Sequence, residues 1–387
     1  MFPYLLEKRI FVVFTDCRGV NCLRVALVVP PWISVPPRSY GGIESVVGLL
    51  ASGLASRGHD VTVYTVGSSR PGVKARWVFE DEMFGYSLAD VSRFLNVAST
   101  HALWAYFDVE REGFDVVHDN TWKEGLLCGS FIHTPIVHTI HGPLDEDNRR
   151  FYSLFLGDTR VHFVTISRFQ RDAFPGLNYA GVVHNAVDVS RYPYVEEKED
   201  YFVYVGRFNM DKAPHIACRV ASDLGFRLLL AGKVRESGEK EYFERFVRPY
   251  LGNRIKFLGE IGEEEKKRLF ARARAFLFPL RWEEPFGITM VEALACGTPV
   301  VTFHRGSTPE IVEHGRTGFV VDTLEEFVEA VRRVDEIKPW ACRRRAERLF
   351  SPERLVRDYE EIYRRVISEQ ETRIWQEYYQ RLARIGV

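Results

Sequence analysis

LRVALVV, residues 23–29, is a short β-branched run with little alternation, as suits a strand covered on both faces of a parallel sheet. A turn-rich stretch then ends at Tyr40-Gly41-Gly42, and residues 43–57 carry apolar side chains at helical spacing before stopping at Gly58. A glycine just past the last periodic residue is a helix stop, and DVTVYT, residues 60–65, opens the next strand. One strand–helix–strand unit is thereby spelled out. Residues 114–118, 135–140 and 162–166 are further short apolar strands, each followed by polar or Gly-rich residues suited to a ligand-facing loop. The pattern predicts a doubly wound, Rossmann-like α/β domain over residues 23–192.

Beyond it the chain turns charged and aperiodic (VEEKED, residues 195–200), which marks a linker over residues 193–200. The rhythm then restarts. Strands are expected at 201–205, 226–231, 255–258, 275–279 and 299–303, with helices at 214–224, 239–248, 263–273 and 287–296. This predicts a second Rossmann-like domain, residues 201–365, facing the first across a cleft. Residues 1–22 read as an extension without predicted order, and residues 366–387 as a C-terminal helix.

With 387 residues the chain exceeds what one hydrophobic core ordinarily serves. Its 52 basic and 53 acidic side chains nearly cancel, so no overall field draws it to nucleic acid or to an acidic membrane. Cys17, Cys22, Cys128, Cys218, Cys296 and Cys342 form no CxxC pair or zinc-type cluster and read as reduced thiols of a cytoplasmic protein. The apolar run at residues 10–14 is too short for a secretory signal, and no stretch approaches the ~20 apolar residues of a transmembrane segment. The Arg- and Tyr-rich tail after residue 351 could make a peripheral membrane contact, although its interleaved acids favour a packing helix.

Chemistry concentrates in a few places. EPFGITMVE, residues 284–292, follows a strand, and Pro285 and Gly287 shape a turn into a helix whose first amides suit an anion. Glu284 and Glu292 are too far apart along that axis to work as one acid–base pair, so they suit different parts of an elongated ligand. GRFNMDK, residues 206–212, follows the second domain's first strand, at the sheet end where ligands bind. There the fork of Arg207 and the point charge of Lys212 could together neutralise a leaving diphosphate without a metal. Gly41 and Gly42 would let backbone amides approach a phosphate. His141 in TIHG and His118 in VHDN end first-domain strands, although a lone histidine there is more often packed than catalytic. The run Asp145-Glu146-Asp147 looks like a metal-binding DxD but sits in a polar loop, and no metal site is expected. With no P-loop, HExxH or GxSxG, phosphoryl transfer from ATP, zinc hydrolysis and serine esterase chemistry are poorly supported.

At these residues the chain resembles family 4 of the retaining glycosyltransferases, in the glycogen-synthase-like group with the GT-B fold. The resemblance spans about residues 23–365 through YGGIE, HTIHG, VTISRF, VVHNAVD, GRFNMDK and EPFGITMVEALACGTPVV, with GSTPEIV and GRTGFVV after it. It implies that Arg207 and Lys212 hold the donor diphosphate, that Glu284 touches the transferred sugar and that Glu292 binds ribose hydroxyls. Backbone amides of Phe286, Gly287, Ile288 and Thr289 would serve sugar and phosphate. The Gly41-Gly42 turn would approach the phosphates from the other domain, with His141 near the sugar. Ala186 and Ala213 stand where the family often has glycine, which puts local geometry in question.

The resemblance further implies metal-independent, retaining transfer of a hexose, with no cofactor. The donor is expected to be UDP-glucose, ahead of GDP-mannose or ADP-glucose. The acceptor would be a small molecule, a glycan or a lipid-linked group, read by loops at residues 34–40 and 120–124. A phosphorylase, a nucleotide-sugar epimerase and a non-catalytic sugar-nucleotide-binding protein are the competing readings.

Overall fold

The computed structural model describes residues 22–38, 41–83 and 91–384, so the expected extension lies, but for Cys22, outside the described residues. Short apolar runs become strands because both faces of each central strand are covered by helices, leaving no place for a polar alternation. The first sheet comprises β1 (Arg24–Val28), β2 (Asp60–Thr65), β3 (Lys74–Trp77), β4 (Val116–Asp119), β5 (Ile136–Ile140), β6 (Val161–Thr165) and β7 (Tyr179–Val182). The second comprises β8 (Phe202–Val205), β9 (Leu228–Ala231), β10 (Ile255–Phe257), β11 (Ala275–Phe278), β12 (Val300–Phe303) and β13 (Gly318–Val321).

Their orders are β3-β2-β1-β4-β5-β6-β7 and β10-β9-β8-β11-β12-β13, with parallel pairing throughout. Each order reverses beside the sheet's first strand, between β1 and β4 and again between β8 and β11. Those are the switch points at which open α/β sheets form a ligand crevice.

Edge elements departed most from expectation. β3, KARW, is half exposed and has no buried run to announce it. The helix Val91–Glu112 was not anticipated either; of its side chains, Ala102, Ala105 and Val109 reach the core while Leu95 and Phe107 stay exposed. The helix expected at 239–248 is Ser237–Tyr242 followed by a π turn, Phe243–Val247, and a 3-10 turn at Arg248–Tyr250, where Pro249 has no N–H to continue the ladder.

The chain's end corrects the expected boundary at residue 365. Pro352–Arg384 is one helix with no break there. Leu355, Val356, Tyr359, Ile362, Tyr363 and Val366 form one helical stripe buried in the core of the first lobe, together with Val25, Val63 and Leu54. Tyr363 Oη lies 2.7 Å from His118 Nδ1, and Tyr359 Oη 2.9 Å from Thr139 Oγ1. The helix also packs on Gly42–Ser56, where a Cβ on Gly53 would come within 2.3 Å of Val356 Cγ2. The chain thus leaves the first lobe near residue 187 and returns after Phe350. The two crossings touch: Val187 N donates to Phe350 O at 3.0 Å, and the Arg354 guanidinium donates to His184 O.

Cys128, Cys218, Cys296 and Cys342 are buried free thiols, and burial pushes Cys128 up to about 11 and the others to about 12, which leaves them inert at neutral pH. Cys22 is disulfide-bonded, so the expectation of reduced thiols does not hold there. Among the described residues no helix is long and apolar enough to cross a membrane.

Candidate functional site

The loops after β8 and β11 meet at the second lobe's switch point. Asn209 Oδ1 accepts from Lys212 N at 3.0 Å, and Arg281 N donates to Asp211 O at 2.7 Å, which ties one loop to the other. The Lys212 ammonium is thereby set on the carboxylate of Glu284, and Trp282 Nε1 donates to the same oxygen at 2.9 Å. Lys212 Nζ also stands 4.6 Å from the centre of the Trp282 ring and 5.4 Å from that of Phe278. Burial holds the Lys212 ammonium below its ordinary pKa, opposed by Glu284 and reinforced by the nearby charge of Arg207. Arg207 itself is exposed.

Gly287 caps the helix Ile288–Ala295 at φ 83 and ψ 61, a left-handed conformation, and no side chain caps that end. A Cβ on Gly287 would meet Met290 Cε at 2.4 Å and Glu284 Cγ at 3.3 Å, so the left-handed turn favours glycine and any side chain would also displace Met290. The loop after β12 clamps this turn from outside. Ser307 N donates to Glu284 O at 2.9 Å and Ser307 Oγ to Phe286 O at 2.7 Å. The result is a buried Glu284 and half-buried Gly287, Ile288 and Thr289. Free amides, one ammonium and one guanidinium are offered to a ligand's negative charge.

Glu292 is not part of that group. Its Oε1 accepts from Tyr192 Oη at 3.0 Å and from Lys266 Nζ at 2.9 Å, while Oε2 is buried with no partner. An orphaned acceptor at that depth suits a ligand hydroxyl. Tyr192 and Lys266 were not singled out from sequence, because neither sits in a recognisable spacing with Glu292.

The first lobe holds His141, whose Nε2 donates to Asn120 Oδ1 at 2.9 Å. Burial, helped by His138, pushes its imidazole down to about 3, so it stays neutral with Nδ1 as a bare acceptor. Gly42 begins the helix Gly42–Ser56, again without a side-chain cap, and a Cβ there would meet nothing within 4 Å. Gly41 differs: a Cβ on it would meet Pro37 Cβ at 2.8 Å and Glu44 Oε2 at 2.9 Å, so packing alone explains it. Among the described residues no hydrogen bond joins His141 or Gly42 to Lys212 or Glu284. Ile288, however, packs against the cores of both lobes. His118 is a packed residue, bonded to Tyr363 and Thr139. Asp145 is a helix N-cap, accepting from Asn148 N, and no group of metal-ligating side chains occurs among the described residues.

Glu310, whose GSTPEIV motif gives no hint of it, joins the lobes. It accepts from Arg168 N at 2.9 Å, Phe169 N at 2.8 Å and His184 Nε2 at 2.8 Å. Burial, which raises its carboxyl pKa, is outweighed by those donors, and the carboxyl lies below its ordinary range.

Residues 40–191 match the family described as Glycosyltransferase Family 4, and residues 191–348 match Glycosyl transferases group 1. A glycogen synthase of Mycobacterium tuberculosis is 27% identical over 384 residues, covering 84% of this chain and 89% of that protein. Among solved structures, AviGT4, a glycosyltransferase involved in avilamycin A biosynthesis, superposes with a TM-score of 0.66 at 28% identity over 90% of this chain and 98% of its own. Anabaena HepE, solved in complex with UDP-glucose, shares the fold with a TM-score of 0.65 at 17% identity, over 89% and 100% of the two chains.

Proposed function

Because the chain belongs to the GT-B glycosyltransferases that join a Family 4 domain to a group 1 domain, we propose that it moves glucose from UDP-glucose to an acceptor hydroxyl, with retention and without a metal. The observation that carries this reading is the meeting of Lys212, Glu284 and the uncapped Gly287 helix start at one switch point. The diphosphate would lie on the Ile288 and Thr289 amides with Lys212 and Arg207 opposing its charge. Such preorganised donors act where charge develops and need no reorganisation during the reaction. Glu292 Oε2, buried and unpartnered, would accept a ribose hydroxyl.

In the transfer step the bond from the sugar's anomeric carbon to the diphosphate oxygen breaks, and its electron pair leaves with UDP. The acceptor oxygen bonds to the same carbon, and its proton passes to the departing diphosphate. Lys212 and Trp282 both hold Glu284 Oε2, which fixes the carboxylate beside the transferred sugar, and the path proposed is front-face. His141, neutral, would accept from a sugar hydroxyl through Nδ1. HepE's complex with UDP-glucose supports that donor over GDP-mannose and ADP-glucose.

The test is a thermal-shift series with UDP, GDP and ADP and their sugars, followed by NMR of the product's anomeric centre. UDP-glucose should raise the melting temperature most, and the product should keep the donor's α configuration. An inverted product, or conversion of donor to a free epimer without acceptor, would overturn the proposal.

A further inference from the structure

Two cavities adjoin on the first lobe beside His141. The smaller, about 20 Å³, is lined by His141, Gly142 and Tyr152. The larger, about 230 Å³, is lined by Pro31, Trp32, Phe94, Ala98 and His101. They share Thr121, Trp122, Lys123 and Asn148. The larger lies between the segments that follow β1 and β4, which is this lobe's own switch point.

One wall is apolar and flat, the rings of Trp32 and Phe94 stacking 4.5 Å apart with 14° between their planes, while Lys123 and Glu124 bring charge to another. Most polar groups around it are already engaged. Thr121 Oγ1 donates to Asp119 Oδ1 at 2.8 Å and accepts from Gly125 N at 2.9 Å, while Asn148 Nδ2 donates to Pro143 O at 2.9 Å. Lys123 Nζ sits 5.2 Å above the Phe151 ring.

His101 differs in its burial. It is wholly buried, and its Nε2 lies 2.8 Å from Val29 O. A carbonyl only accepts, so Nε2 carries the proton. Burial pushes the imidazole down to about 4, which leaves it neutral with a lone pair on Nδ1, and that atom has no partner. Leaving such an acceptor unsatisfied disfavours the empty state.

We infer that this cavity holds a flat apolar ring of the acceptor, carrying a hydroxyl at its inner end that donates to His101 Nδ1. This inference rests on the transferase reading. The flat aromatic wall suits a planar ring, and His101 Nδ1 is the buried, unpartnered atom such a ring's hydroxyl would meet. An apolar cavity of about 150 Å³ takes up benzene, so the volume admits one ring or a fused pair. The hydroxyl that receives glucose would then emerge past Trp122 towards His141.

The probes are 2-naphthol, 2-methoxynaphthalene, which has the same ring but cannot donate, and methyl glucoside, titrated calorimetrically into the full chain. The naphthol should bind about tenfold more tightly than its methyl ether, and the glucoside more weakly than either. Ala98→Phe, which fills the cavity, should abolish naphthol binding, and Trp32→Ala, a change on a half-buried wall residue, should weaken it. Neither should alter the melting shift given by UDP. Equal binding of naphthol and its ether, tighter binding of the glucoside, or indifference to both variants would overturn the inference. A UDP shift without naphthol binding sinks this inference alone, and naphthol binding without a UDP shift sinks the donor reading alone.

Discussion

Lys212 Nζ and Trp282 Nε1 converge on one oxygen of Glu284, Oε2, rather than dividing between its two. The Lys212 and Glu284 side chains are only 12% and 10% exposed, so removing either leaves the other charge in a poorly hydrated place. Breaking such a pair costs about 3–5 kcal/mol. Lys212→Ala and Glu284→Ala should therefore lower the melting temperature as well as cutting transfer by about two orders of magnitude or more. The double variant Lys212→Met/Glu284→Gln should recover much of the stability and none of the activity. Thermal denaturation and initial rates on the four proteins check this; near-wild-type turnover in either single variant removes the proposed mechanism.

Ala213, next to Lys212, is fully buried at φ 46 and ψ 46, the only left-handed non-glycine among the described residues. That conformation costs an L-residue about 1–2 kcal/mol, part of which glycine returns through its freer unfolded chain. Ala213→Gly should raise stability by about 0.5–1 kcal/mol, read as a higher urea midpoint at unchanged slope. An unchanged or lower midpoint would show that the turn is not strained.

Glu44, buried in the first turn of the helix that Gly42 begins, has its carboxyl raised from 4.5 to about 7 by burial, with Glu82 adding to the shift. Folded protein then holds a proton between those values that unfolded chain has released. Stability from this group is complete below 4.5 and lost as pH rises towards 7, by an amount on the order of 3 kcal/mol. Above pH 7 the new charge would also stand near the proposed phosphates. Glu44→Gln should be more stable than the parent at pH 8, equal to it near pH 4, and free of the rise in donor KM above pH 7. Parallel stability curves for the two proteins would contradict this.

Leu355 is wholly buried in the first-lobe core although it follows the entire second lobe in the chain. Leu355→Ala should cost about 2–5 kcal/mol, and the loss should appear in the first lobe. Hydrogen exchange resolved by peptide would show β1, β4 and β5 losing protection before β8 and β11. Equal loss in both lobes would mean that the helix does not belong to the first.

The central strands and the switch-point loops were legible because burial on both faces writes a continuous apolar run, and because glycine and proline punctuate the turns at Gly41, Gly206 and Gly287. Edge strand β3 was not, since it is half exposed and carries Lys74 and Arg76. Lys212 and Glu284 were placed correctly at one end of the second sheet, but the bond between them joins loops 72 residues apart. Glu310, Tyr192 and Lys266 escaped for the same reason. A carboxylate that accepts two amides and an imidazole from another lobe has no local pattern to betray it. The tail after residue 351 reads as a packing helix, but nothing in its sequence says which lobe Leu355, Tyr359, Ile362 and Tyr363 cover.

That returning helix orders the events of biosynthesis. Residues 352–366 emerge from a ribosome after both sheets have been made, so the earliest-made lobe waits longest for its last wall. The second lobe, whose core needs nothing beyond Phe350, can close first, and a nascent chain passes through a stage in which its later half is finished and its earlier half is still open.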